Sequence, residues 1–151
     1  MRFLLVDEIL EMMPGQSIRA VKTLHPDEEL FQDHFPGFPV VPGVLLTEMM
    51  AQTAGKCLYA EDPARGRPML AQIKAASFRE WVRPGEKVLL VGEIRLSRPQ
   101  FANASCRAEV NGRPVCSAEL MFSFQPSSSF APDYRDEVLE RFQKRPAGKA
   151  A

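Results

Sequence analysis

Two side chains in the first third of the chain are of the right types to move protons. His34 opens the run His34-Phe35-Pro36-Gly37-Phe38-Pro39-Val40-Val41-Pro42-Gly43, and Glu48 lies in the apolar segment that follows it. Imidazole is the side chain that ordinarily exchanges a proton near neutral pH, so His34 is a candidate base. A carboxyl on a helix as apolar as this one must be paired, hydrogen-bonded or protonated. Gln52 falls four residues after Glu48 on the same helix face, where its amide can hold the carboxyl in one rotamer. Pro42-Gly43 reads as a helix start, whose unpaired N–H groups would stabilise a developing oxyanion. A base, an acid and an oxyanion donor beside an apolar helix suit proton abstraction next to a carbonyl on a fatty chain. On a 3-hydroxyacyl thioester, His34 would take the α-proton and the Gly43 N–H would polarise the carbonyl. Glu48 in its acid form would protonate the leaving hydroxyl, giving a trans-2-enoyl thioester and water. No metal or redox cofactor is called for. The plainer readings are a loop histidine bonded to a carbonyl, and an acid favoured by the helix N-terminus. The second is weak, because Glu48 lies beyond the first turn, where that field has faded. Phe35, Phe38, Pro42, Met49, Tyr59 and Met69 are the candidates for lining an apolar substrate tunnel.

The elements that must position these groups can be read from periodicity. Residues 26–42 hold four prolines and Gly37, so they form a shaped loop. Residues 44–59 contain no proline and are apolar nearly all round, as a helix buried on most sides would be. Residues 17–24 read as a first strand after the Pro14-Gly15 turn, and residues 69–78 as a second. Residues 87–96, 102–110 and 115–124 alternate apolar and polar, and Asn111-Gly112 joins the last two as a two-residue hairpin turn. A long buried helix followed by alternating strands is an α+β pattern, and such a helix needs a strongly curved sheet around it. The open sheet edges favour a homo-oligomer. After Phe124 the composition changes: residues 125–129 read as a linker, 133–144 as a short helix, and 145–151 as a disordered end. The expected division is one domain over 1–124 and an extension over 125–151.

Nineteen basic and nineteen acidic side chains cancel, so no strong field points to nucleic acid or an anionic membrane. The apolar run at the start is too short for a signal peptide, and no stretch approaches the roughly 18 apolar residues of a membrane span. Cys57, Cys106 and Cys116 are odd in number and sit in apolar surroundings. They read as buried free thiols of a cytoplasmic protein, and with two histidines they lack metal-ligand spacing.

The stretch from Leu30 to Gln52, LFQDHFPGFPVVPGVLLTEMMAQ, closely resembles the signature of the 3-hydroxyacyl-(acyl-carrier-protein) dehydratases of the FabA/FabZ type, nearer to FabZ. The resemblance extends through Phe3-Leu4-Leu5-Val6-Asp7, Pro14-Gly15, Phe78-Arg79, Arg83-Pro84-Gly85 and the 111–124 hairpin. It implies a hot-dog fold, a curved antiparallel sheet wrapped around a long central helix. It implies His34 and Glu48 as the catalytic pair, Gly43 as the carbonyl-polarising backbone donor and Gln52 as support for the acid. It also implies acyl-carrier protein as partner, and a homodimer whose sites each combine one chain's histidine with the other's acid, with trimers of dimers common. Glutamate at position 48, where isomerising relatives carry aspartate, implies dehydration without isomerisation. Asp33, Phe38 and Trp81 depart from the family's usual residues and bear on substrate identity. The same scaffold hosts acyl thioesterases, and a non-catalytic acyl-binding subunit is the remaining alternative.

Overall fold

The computed structural model describes residues 1–146. In chain order the elements are β1 (Glu8–Met13), β2 (Ser17–Thr23), α1 (Leu30–Asp33), α2 (Gly43–Glu61), β3 (Arg67–Phe78), β4 (Lys87–Ser97), β5 (Phe101–Val110), β6 (Arg113–Gln125) and α3 (Glu137–Gln143). The strands form one antiparallel sheet in the order β1-β2-β4-β5-β6-β3. Helix α2 packs against β2 through β6, so the sheet curls around it. This is the hot-dog arrangement expected from the sequence.

Side-chain size explains how the helix nests so closely. The inward residues of β5 are Ala102, Ala104, Cys106, Ala108 and Val110, all buried and mostly small. Gly92 on β4 leaves room for Ile18 and Ala54, whose atoms a Cβ there would meet at 3.1 and 3.7 Å. The larger Leu120 and Phe122 of β6 and Met49, Met50 and Leu58 of α2 fill the remaining space. Each such side chain contributes about 1.5–3 kcal/mol on burial. The outward face is polar: Arg95 donates to Ser105, Ser105 to Glu119, and Arg107 pairs with both Glu93 and Glu109. Register shifts interrupt four of the five ladders, all but that of β2 with β4, and bulges of this kind bend strands. Asn111 and Gly112 both have positive φ (51° and 77°), as the hairpin turn requires.

Several boundaries differ from the sequence reading. The first strand is not 17–24: β1 precedes it and pairs with it across the Pro14-Gly15 turn. A bulge between Ile9 and Glu11 breaks the two-residue alternation in β1, which hid the strand from a periodicity reading. Helix α2 extends to Glu61, β3 begins at Arg67, and the C-terminal helix is shorter than expected, covering Glu137–Gln143. Arg145, expected in a disordered end, pairs with Glu8 at 2.6 Å and donates to the Leu10 carbonyl. The remainder of that expected end, 147–151, lies outside the described residues. The three cysteines are free and buried, as expected, and burial pushes the thiols up to about 11 (Cys57, Cys116) and about 12 (Cys106). His25 is exposed, with its Nδ1 accepting from the Asp27 N–H, a turn role without chemical company. Among the described residues no helix is long and apolar enough to cross a membrane.

Candidate active site

Glu48 projects from one flank of α2 into a cavity of about 1140 Å³. The same helix flank supplies Gln52, Gly55, Lys56 and Tyr59 to that cavity, following the i, i+4, i+7, i+8, i+11 spacing of a single face. Gln52 Nε2 donates to Glu48 Oε2 at 2.9 Å and to the Phe3 carbonyl at 3.1 Å, while its Oε1 accepts from the Leu5 N–H at 2.9 Å. A carbonyl oxygen facing a backbone donor and an amino group facing a backbone acceptor leave the amide one orientation, so its donor side must face the acid.

The N-terminal segment that imposes this orientation is itself anchored. Leu5 and Val6 are buried in the core. Asp7 donates its N–H to the Val21 carbonyl, and its carboxylate accepts from Lys22 Nζ and the Thr23 N–H. Lys22 Nζ also donates to the Leu4 carbonyl. Sequence reading found Gln52 but not its backbone partners, because no residue type marks a main-chain bond.

His34 is held from three sides. Its N–H donates to the Leu30 carbonyl at the end of α1, and its carbonyl accepts from the Val40 N–H at 3.1 Å. Its Nδ1 lies 3.3 Å from the Val40 carbonyl. That contact requires the proton on Nδ1, leaving Nε2 as the free acceptor. Two bonds between Phe35 and Phe38 close the loop, the His34 ring stacks on Phe35, and the Arg83 guanidinium lies over Phe38. The His34–Phe35 peptide is cis. The Pro/Gly pattern thus serves as a rigid bracket for the imidazole.

Pro42 caps α2, with Leu45 and Leu46 both donating to its carbonyl. Among the described residues the Gly43 and Val44 N–H groups make no hydrogen bond, which leaves them available to an incoming oxygen. A Cβ at Gly43 would lie 3.0–3.2 Å from the Phe78 ring, so this approach is kept by having no side chain. Thr47 spends its hydroxyl on the Gly43 carbonyl.

The structure brings Glu48, Gln52, Tyr59 and Met69 to one cavity, but His34 does not line it. Phe35 and Phe38 are exposed on the histidine loop, Pro42 is half-buried, and Met49 points into the core between helix and sheet. Within one chain His34 and Glu48 therefore belong to different surfaces. Strand β3, at the sheet edge, is exposed along nearly its whole length and presents Met69, Leu70, Ile73 and Phe78. Among the described residues no three His, Cys, Asp or Glu side chains converge as a metal site would need.

Comparison with solved structures fixes the fold first. The chain superimposes on the dehydratase heterocomplex ApeI:P from Xenorhabdus doucetiae with a TM-score of 0.66 at 15% identity, covering 95% of this chain and 91% of the other. A hypothetical thioesterase with coenzyme A from Streptococcus pneumoniae gives 0.62 at 12% identity, covering 79% and 88%. The family is shown by sequence. The family model described as FabA-like domain matches residues 1–119. The 3-hydroxyacyl-[acyl-carrier-protein] dehydratase FabZ of Listeria welshimeri is 39% identical over 122 residues, 80% of this chain and 85% of the relative. The chain belongs to the FabA-like family.

Proposed function

We propose that this protein dehydrates 3-hydroxyacyl thioesters carried on acyl-carrier protein to trans-2-enoyl thioesters, in fatty-acid or related acyl-chain synthesis. The observation that carries the reading is the Glu48–Gln52 pair facing a cavity, with His34 bracketed so that Nε2 is free, in a chain whose relatives are named for this reaction. His34 Nε2 takes the proton from C2 while the Gly43 N–H supports the negative charge on the thioester oxygen. The C2–H electron pair becomes the second bond of C2=C3 as the C3 hydroxyl departs. Glu48 supplies the proton that makes it water. Gln52 occupies Oε2, which leaves Oε1 as the oxygen free to face the departing hydroxyl.

Two copies of the chain make the complete site: the acid of one faces the histidine loop of the other, across the open β3 edge. The separation of His34 from the Glu48 cavity and the exposed apolar residues of β3 support this arrangement. A cytoplasmic location fits three free, buried thiols. Mixing tests the shared site. His34→Ala and Glu48→Gln should each lose at least about a hundredfold in turnover. Random re-association of the two inactive chains should restore about one quarter of wild-type activity, because half the dimers are mixed and each carries one intact site. Mixtures as inactive as their parents would remove the shared site from the account.

A further inference from the structure

On the Tyr59 side, the wall of the Glu48 cavity includes residues beyond the family match, which ends at position 119. Tyr134, Asp136 and Val138 line it together with Tyr59 and Met69. A polar C-terminal segment becomes a wall only if it is held down, and this one is held at several points. Val138 and Leu139 of α3 enter the core, and α3 packs on β1. Asp136 caps α3, Oδ1 accepting from the Leu139 N–H, while Oδ2 takes Lys56 Nζ of α2 at 2.7 Å with both side chains largely covered. The Arg67 guanidinium, at the start of β3, lies 4.6 Å from the Tyr59 ring centroid and 3.9 Å from that of Tyr134, and it donates to the Tyr134 carbonyl. One cationic side chain therefore ties helix, sheet edge and extension together at a single point.

We propose that this segment sets the acyl length the enzyme accepts, with Tyr134, joined through Arg67 to Tyr59, as the stop at the end of the acyl channel. The inference rests on the dehydratase reading. Elimination places C2 and C3 at Glu48, and the thioester leads out to its carrier, so the rest of the acyl chain must occupy the cavity. Glu48 and Tyr59 are eleven residues apart on one helix face, about 16 Å at the α-helical rise. Chains that fit within that stretch lie against Ala51, Gly55, Met69 and Phe122, alongside Gln52 and the Asp136-paired Lys56. Longer ones meet a charged, aromatic barrier instead of apolar space.

The test compares kcat/KM of the full chain on short, medium and long 3-hydroxyacyl-carrier-protein substrates, for wild type, Tyr134→Ala and Tyr134→Trp. Wild type should fall off sharply once the chain exceeds the stretch from Glu48 to Tyr59. Tyr134→Ala should raise the ratio of long-chain to short-chain kcat/KM by about fourfold for each methylene newly accommodated. Tyr134→Trp should lower that ratio. A merely structural Tyr134 would depress both variants without opposite shifts in the ratio, and that result, or an unchanged profile in a wild type that dehydrates, overturns the inference alone. A wild type that dehydrates no chain of any length overturns the dehydratase reading and this inference with it.

Discussion

Replacing Gln52 by leucine separates the positioning of the acid from its presence. The substitution keeps most of the volume but deletes three hydrogen bonds, to Glu48 Oε2, the Phe3 carbonyl and the Leu5 N–H. The Phe3 carbonyl is exposed and turns to water at little cost. The Leu5 N–H sits beside a side chain with no exposure, and leaving it unpaired costs about 1–3 kcal/mol. For a chain of this size each kcal/mol lowers Tm by about 2–4 °C, so a fall of roughly 2–12 °C is expected by calorimetry. The lost bond to the carboxyl, uncharged when it acts as the acid, contributes about 0.5–1.5 kcal/mol to its placement. If that placement is required only when the proton is delivered, kcat falls by about 2- to 12-fold with KM little changed. A variant with the lowered Tm but kcat equal to that of wild type would refute the reasoning, leaving Gln52 as a clamp for the N-terminal segment and nothing more.

Gly43→Ala should lower Tm by about 2–12 °C, from the roughly 1–3 kcal/mol of overpacking incurred by a Cβ only 3.0 Å from the Phe78 ring; Phe78→Ala in the same chain should recover most of it. Failure of that second substitution to rescue would mean that the glycine acts otherwise than through close approach. The buried thiols contribute to the pH dependence of stability on the alkaline side. Their folded values, raised by burial to about 11 and about 12 from an ordinary 9.0, mean that unfolding releases protons once the pH exceeds 9. Their contribution is thus complete below pH 9 and is lost as pH rises through 11 to 12. Tm measured across that range should fall more steeply for wild type than for Cys106→Ala, and equal slopes would contradict the assignment.

The parts of the molecule legible in the sequence are those governed by local pattern. Alternation located β4, β5 and β6, Asn111-Gly112 marked its hairpin through its tolerance of positive φ, and the all-round apolar run marked α2. His34, Gly43, Glu48 and Gln52 stood out because a histidine bracketed by prolines, or an acid on an apolar helix, carries a local chemical cost. What escaped notice depends on contacts distant in sequence. The β1 strand was masked by its bulge, which shifts side chains out of the expected alternation. The backbone partners of Gln52 lie 47 and 49 residues away. The 133–144 segment read only as a short helix in an extension, because its anchors, Lys56–Asp136 and Arg67–Tyr134, and Arg145–Glu8 just after it, join polar residues that read singly as surface groups. A cavity wall made of such residues becomes visible only once the chain has closed on itself.

The most direct test of the central claim is the mass of the acyl group after purified protein meets a 3-hydroxyacyl-carrier-protein substrate. The account predicts loss of one water with the thioester intact, and gain of one water when the trans-2-enoyl form is supplied. Release of free acid and unloaded carrier would contradict it and make the protein a thioesterase on the same fold.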